Sequence, residues 1–121
     1  MVYYKEVTDK SGKMVKNYFL TQGDTFQSQL TIKDKGGNVI DPELISQVLF
    51  KLSDLNYQLE YKQSYTFDED LNQWTLTISS NDTHAWEITK HIYEFEITYT
   101  SGIVNTPVQA YFTVSDQIQG E

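Results

Sequence analysis

The sequence predicts an all-β fold, an immunoglobulin-like sandwich of two antiparallel sheets with about eight strands and an N-terminal hairpin. Three observations support this prediction. Aromatic residues make up 14% of the chain, with nine tyrosines and six phenylalanines, and they suit a half-buried pleated surface. Alanine, the best helix former, occurs only at Ala85 and Ala110. Apolar and polar residues also alternate in several short segments, with turn-forming residues about every ten positions.

The first 21 residues are predicted to form the hairpin, as an arm that precedes the sandwich. Residues 2–8 and residues 14–21 are its two strands, and residues 9–13 form the turn between them. Gly12 lies in this turn and can take the positive φ that such a turn requires.

Six further strands are predicted after the arm. They are residues 25–33, 47–54, 57–66, 73–79, 93–99 and 108–114. The clearest alternation is that of Tyr93, Phe95 and Ile97 with the polar residues between them, which predicts a strand that is buried on one face. We therefore expect residues 22–115 to form the sandwich core and residues 116–121 to be a polar tail.

Length and composition predict that residues 1–121 form one domain that needs neither disulfides nor a structural metal ion. A chain of 121 residues is the size of one domain and can bury a sizeable core. The sequence has no cysteine, which excludes disulfides, thiol nucleophiles, zinc–thiolate sites and iron–sulfur clusters. We expect no signal peptide, because no apolar stretch follows a cationic start, and no membrane span, because the apolar runs are too short.

The charge of the chain argues against nucleic acid and membranes as partners. The formal net charge is -8, from nine basic and seventeen acidic side chains, and every basic residue is lysine. Nucleic-acid-binding proteins need a cationic surface and favour arginine for bidentate contacts. An anionic lipid surface would repel this chain for the same reason.

No residue is predicted to be catalytic. The two histidines, His84 and His91, show none of the spacings that mark metal sites, and we interpret them as surface or strand-end residues. A histidine that meets a nucleophile and a carboxylate only in the folded chain stays open at this point. So does a pair of carboxylates for glycoside hydrolysis, because seventeen acids are present.

One acidic segment begins like a calcium loop. Asp68, Asp70 and Asn72 have the spacing of the first three ligands, but the glycine position holds Gln73 and the final glutamate position holds Ser79. We therefore predict a solvated acidic turn, with no metal site and no cofactor.

The aromatic residues are expected mainly in the core or on ordinary surface, and a few of them are candidates for a protein interface. Trp74 and Tyr93 share a phase with aliphatic neighbours and are expected in the core. Other tyrosines are out of phase with the core pattern and can line an interface or an ordinary surface. These candidate interface residues are Tyr3, Tyr57, Tyr61 and Tyr111.

Six motifs occur in order along the chain. They are residues 23–26 (GDTF), 34–41 (DKGGNVID), 48–50 (VLF), 76–83 (LTISSNDT), 93–97 (YEFEI) and 106–114 (TPVQAYFTV). With them, the chain from Gln22 onward resembles the N-terminal module of phage baseplate upper proteins and related small tail structural proteins of phages of Gram-positive bacteria.

This resemblance implies a virion component that is assembled in the host cytoplasm and docks to other tail or baseplate proteins, or to further copies of itself. It implies no enzymatic activity and no cofactor. The alternative is a carbohydrate-binding β-sandwich module that recognises host cell-wall glycan, and an enzyme is the third hypothesis.

Overall fold

The computed structural model describes residues 6–8, 17–34 and 36–116. Within them, nine strands are joined by turns, a 3-10 turn at Pro42–Leu44 and one short helix, α1 (Ser80–His84). The strands are β1 (Glu6–Thr8), β2 (Tyr18–Thr21), β3 (Phe26–Lys33), β4 (Ile45–Ser53), β5 (Leu59–Ser64), β6 (Thr66–Asp68), β7 (Gln73–Ile78), β8 (Lys90–Tyr99) and β9 (Val104–Ser115). Neither helical segment of the described residues is long or apolar enough to cross a membrane.

The predicted two-sheet sandwich is confirmed, with one more strand than the eight expected. One sheet has the strand order β1-β3-β7-β6 and the other has the order β2-β9-β8-β4-β5. The prediction of purely antiparallel sheets is wrong, because β1 pairs with β3 in parallel and β2 pairs with β9 in parallel. The chain leaves the first sheet after β1, adds β2 to the second and returns for β3. Two such crossings allow β1 and β3 to run in the same direction.

The predicted N-terminal hairpin is also wrong in its described part. Its two strands, β1 and β2, lie in different sheets and do not pair with each other. The physical reason is burial: Tyr18 and Leu20 on β2 face the interior beside Phe112 and Val114 of β9. A local hairpin would leave these two apolar side chains without that burial. Residues 1–5 and the turn at residues 9–13 lie outside the described residues.

The interior is formed by the apolar side chains at every second position of the strands. The buried set includes Phe26, Leu30, Ile32, Val48, Phe50, Leu52, Trp74, Leu76, Ile78, Tyr93, Phe95, Ile97, Phe112 and Val114. The ring of Phe112 lies at its centre and contacts the rings of Tyr18, Phe26, Phe50, Trp86 and Tyr93. Full burial of one such side chain stabilises the fold by about 1.5–3 kcal/mol. Trp86 and Tyr65, which lie between the strands, add to this core.

Candidate protein interface

The outer faces of the two sheets differ in chemistry. The four-stranded sheet presents mainly amide and hydroxyl side chains to solvent, with Lys33 and Asp68 near the strand ends. The amide and hydroxyl groups belong to Gln27, Gln29, Thr31, Gln73, Thr75 and Thr77. The five-stranded sheet instead presents large apolar side chains, with Phe19 at 69%, Leu59 at 55% and Tyr111 at 45% exposure. The β4–β5 turn adds Tyr57, which is 64% exposed. We name the surface formed by Phe19, Tyr57, Leu59, Ile92 and Tyr111 the aromatic face.

Strand register places these side chains together. Tyr111 pairs with Ile92, and Ile92 pairs in turn with Ser53, so all three point away from the core-facing Tyr93. Phe19 pairs with Thr113 on the same outer side of the sheet. Asn17 fixes the backbone beside Tyr111, because its Oδ1 atom accepts a hydrogen bond of 3.1 Å from the Tyr111 amide.

The β4–β5 turn holds Tyr57 in a strained backbone conformation. The Oδ1 atom of Asp54 accepts hydrogen bonds from the amides of Asn56 and Gln58, at 2.8 and 3.0 Å. The Tyr57 amide donates to the Asp54 carbonyl at 3.1 Å, and Tyr57 itself has a φ of 64°. A non-glycine residue in this left-handed region costs about 1–3 kcal/mol, so the turn presents an aromatic ring where glycine or asparagine fits better.

Two neighbouring concavities meet at Tyr57 and Ile92. The larger, of about 260 Å³, is also lined by Asn17, Gln109, Ala110 and Tyr111. The smaller, of about 160 Å³, is also lined by Lys51, Ser53, Leu59 and Glu94. Ile92 is only 8% exposed although it points away from the core, so side chains of the aromatic face cover it. Each concavity is smaller than the roughly 300–1,000 Å³ of ordinary small-molecule sites and suits a single side chain.

Three lysines and two glutamates, Glu94 and Glu96, lie on the same outer side of the sheet as this apolar surface. The Nζ atom of Lys90 lies 4.6 Å from the centroid of the Tyr111 ring, a cation–π contact. Lys51 forms an ion pair of 2.7 Å with Glu96, and the hydrogen bond in this pair is the main reason that the pKa of Lys51 is raised. Lys62 lies directly opposite Lys51 on the neighbouring strand, where two like charges repel.

Tyr61 lies on a different surface from Tyr57 and Tyr111. It pairs with the buried Leu52, so its ring faces inward and packs edge-on against Trp86 with the ring centroids 5.3 Å apart. Its hydroxyl donates to Asp82 Oδ2 at 3.0 Å and also contacts Gln63. Burial, and then the contact with Asp82, raises the pKa of Tyr61 to about 12.

The structure therefore divides the four candidate tyrosines. Tyr57 and Tyr111 line one concavity of the aromatic face, Tyr61 packs against the edge of the core, and Tyr3 lies outside the described residues. The sequence reasoning missed Phe19 and Ile92. Both carry a signal that could have identified them, since each is an apolar residue at an outward position of an alternating strand.

The two histidines have separate environments. His84 is the last residue of α1 and is exposed. His91 lies at the start of β8 and is only 1% exposed, so it is buried and not a surface residue. His91 contacts Glu60 and the Glu87 carbonyl, and these groups line a third concavity, of about 270 Å³, with Tyr61. The described residues hold no group of three histidine or acidic side chains arranged to bind a metal ion. The acidic turn after Asp68 is a solvated turn, as predicted.

Comparison with known proteins yields a likeness in fold. No family model matches the chain, and no curated protein matches it in sequence. The N-terminal domain of phage TP901-1 ORF48 is similar in structure, with a TM-score of 0.61 and 14% identity over 95% of this chain and 99% of that one.

Two more distant sandwiches also match. Fibronectin(III)-like modules of Clostridium thermocellum CbhA give a TM-score of 0.46 and 9% identity, over 93% of this chain and 99% of that one. The PKD domain of human KIAA0319 gives a TM-score of 0.40 and 14% identity, over 97% of this chain and 88% of that one.

Proposed function

We propose that this chain is a structural protein of a bacteriophage or prophage tail, of the baseplate type, which docks to neighbouring tail proteins through the aromatic face. It acts in the virion by protein–protein contact and catalyses no reaction. The observation that carries this proposal is the contrast between the two outer faces: one is mainly amide and hydroxyl, and the other exposes Phe19, Tyr57, Leu59 and Tyr111.

The composition of the aromatic face supports a protein partner. Tyrosine and phenylalanine are enriched at protein interfaces, and the residues that dominate binding energy are often aromatic side chains beside small pockets. Tyr57 and Tyr111 flank such a concavity above Ile92. Tyr57 exposes its ring from a strained backbone conformation, which lowers stability and is typical of residues that serve a function.

Two likenesses support the phage context. The chain shares its fold with the N-terminal domain of phage TP901-1 ORF48 over almost the whole length of both. The six ordered motifs from residue 23 to residue 114 resemble the same kind of module in baseplate upper proteins. The first likeness concerns the fold and the second concerns the sequence, so they are separate grounds for one proposal.

The test is to look for the chain in virions. Antibody against the purified protein should detect it in gradient-purified particles of the phage or induced prophage that encodes it. A Tyr57→Asn/Tyr111→Thr variant should fold but be depleted from particles, because asparagine tolerates the left-handed turn and threonine suits a strand. A matched variant, Val39→Thr/Leu44→Ser, changes exposed apolar residues away from the aromatic face and should be incorporated normally.

Absence of the chain from purified particles would overturn the phage proposal. Equal incorporation of the two variants would leave the chain in the virion but exclude the aromatic face as the docking surface.

The carbohydrate-binding alternative is favoured by one observation, the three exposed rings of Phe19, Tyr57 and Tyr111 on one side of one sheet. Such side chains can stack against sugar rings. Binding of the wild type to purified host cell-wall polysaccharide, lost in Tyr57→Asn/Tyr111→Thr, would support it. No retention on that polysaccharide would count against it.

A further inference from the structure

We propose that the aromatic face binds the β6–β7 turn of a second copy of this chain, so that copies join head to tail. This inference rests on the proposed function in one respect, namely that the same face is used, and it names a partner for that face. The apolar residue at the tip of the turn, Leu71, would occupy the concavity between Tyr57 and Tyr111. The acidic residues around Leu71 would lie against the lysines of the face.

The receiving surface combines an apolar depression with positive charge. Its larger concavity, about 260 Å³, has Ile92 in its lining and two aromatic rings, Tyr57 and Tyr111, beside it. Lys90 lies over one of these rings, and Lys51 and Lys62 lie on the adjoining strands β4 and β5. An aliphatic side chain flanked by carboxylates complements this arrangement in shape and in charge.

The β6–β7 turn presents such a side chain. Leu71 is 52% exposed and follows Asp68, Glu69 and Asp70 directly in the sequence. The Oδ1 atom of Asp68 accepts hydrogen bonds from the amides of Asp70 and Leu71, at 3.0 and 3.2 Å. The next residue, Asn72, has a φ of 54°. The tip is therefore held in shape before binding, which reduces the entropy that docking must overcome.

The distribution of charge favours this pairing over a face-to-face dimer. Among the described residues, Lys51, Lys62 and Lys90 lie on the outer side of the five-stranded sheet, and Lys33 lies elsewhere. The whole chain nevertheless has a formal net charge of -8. This outer side also carries Glu94 and Glu96, so it has three lysines against two glutamates. Two aromatic faces packed together would join two surfaces of net positive charge, whereas a head-to-tail contact brings one such surface against the acidic turn.

Other exposed apolar side chains complement the face less well. Leu44 has one acidic neighbour in sequence, Glu43, and Ile88 likewise has one, Glu87. Leu71 is preceded by three acidic residues at the tip of a hairpin, so it offers the strongest match in charge. A contact between two different surfaces repeats from copy to copy, and it closes into a ring or continues as a filament.

Complementary variants test the pairing. Tyr111→Asp places a negative charge in the receiving concavity and leaves the turn intact, and Leu71→Lys changes the tip and leaves the face intact. Each variant alone should be monomeric in sedimentation velocity at concentrations where the wild type assembles, with self-affinity at least about tenfold weaker. Mixed in equal amounts, the two variants should form a dimer through the single intact pair of surfaces.

Three controls accompany this experiment. Leu44→Lys carries the same new charge as the tip variant at another exposed leucine and should assemble like the wild type. Tyr57→Asn, a second face variant with an unstrained turn, should behave like Tyr111→Asp in both the single and the mixed samples. Raising the salt from about 0.1 M to about 1 M shortens the screening length from about 10 Å to about 3 Å and should weaken wild-type assembly.

Three results would overturn the inference. The first is a wild type that stays monomeric at every concentration. The second is assembly of Leu71→Lys as strong as that of the wild type. The third is a mixture of Tyr111→Asp and Leu71→Lys that remains monomeric although the midpoint of urea unfolding of each variant equals that of the wild type. If any of these occurs while the chain is still found in virions, head-to-tail docking is wrong and docking to other tail proteins stands.

Discussion

The Nδ1 atom of His91 lies 2.7 Å from the Oε1 atom of Glu60, although their strands, β8 and β5, are not neighbours in the sheet. The two residues meet near the end of β4, the strand that separates β8 from β5, where the β4–β5 pairing shifts register between Leu52 and Ser53. The other ring nitrogen of His91 lies 2.8 Å from the Glu87 carbonyl. One buried ring thus links an edge strand to the segment that leads into β8.

Loss of this link should destabilise the fold. The substitution His91→Phe keeps a ring of similar shape but removes both polar contacts of the imidazole. One of these is the contact between this ring and the Glu87 carbonyl. We expect the free energy of unfolding to fall by about 1.5–3 kcal/mol, measured by urea denaturation with an unchanged slope. The exposed His84→Phe should change it by less than about 0.5 kcal/mol. Equal values for the two variants would contradict a structural role for His91.

The hydroxyl of Tyr61 should make stability depend on pH in alkaline solution. Its pKa in the folded chain is about 12, against 10.0 for an ordinary tyrosine, so the folded state holds the proton more tightly than the unfolded state. The stabilisation is therefore complete below pH 10 and is lost as the pH rises through the folded-state pKa.

The measurement is the difference in unfolding free energy between the wild type and Tyr61→Phe across this range. Tyrosinate absorbance of the same two proteins gives the titration of Tyr61 itself. Asp82→Asn should lower the pKa only in part, because burial is the larger cause. Titration of Tyr61 at pH 10 in the wild type would show this account to be incorrect.

Two phenylalanines on neighbouring strands should respond very differently to truncation. Phe112→Ala removes a ring that is 0% exposed and contacts other core rings, and we expect a loss of about 3–5 kcal/mol in unfolding free energy. Phe19→Ala changes an outward ring and should alter stability by no more than about 0.5 kcal/mol. Thermal or urea unfolding of the isolated variants decides the point, and a large loss for Phe19→Ala would place its ring in the interior.

Because Tyr57 has a left-handed backbone conformation, glycine should be more stabilising than valine at this position. Tyr57→Gly and Tyr57→Val both remove the ring, but only glycine adopts a φ of 64° without strain. We expect the glycine variant to be more stable than the valine variant by about 1–2 kcal/mol. A valine variant of equal or greater stability would show that the turn does not hold this conformation in solution.

Much of the fold followed from short-range patterns. The alternation of Tyr93, Phe95 and Ile97 predicted a strand and identified its buried side, because successive side chains of a strand point to opposite faces. The same reasoning placed Trp74 in the core. The acidic segment that begins at Asp68 is an exposed turn between β6 and β7.

The errors lie where partners are distant in sequence. The apolar run Tyr18–Leu20 does lie in a strand, as predicted, but it carries no information on which strand will be its neighbour. A local hairpin was the natural interpretation, whereas the structure places these residues in parallel with β9. Of the three candidate interface tyrosines in the described residues, Tyr57 and Tyr111 come together and Tyr61 does not, because strand order, and not residue type, decides which side chains share a surface.

The sequence by itself determined that this chain forms a β-sandwich without disulfides, and which side chains of its alternating strands face the interior, since a period of two specifies the buried side of a strand. Only the tertiary structure decided that β1 and β2 enter different sheets. It also decided that exposed aromatic side chains gather on one outer face and that three lysines and two glutamates share that face with them. These outcomes depend on pairing between distant segments, which is settled by the burial of the whole chain and not by any local pattern.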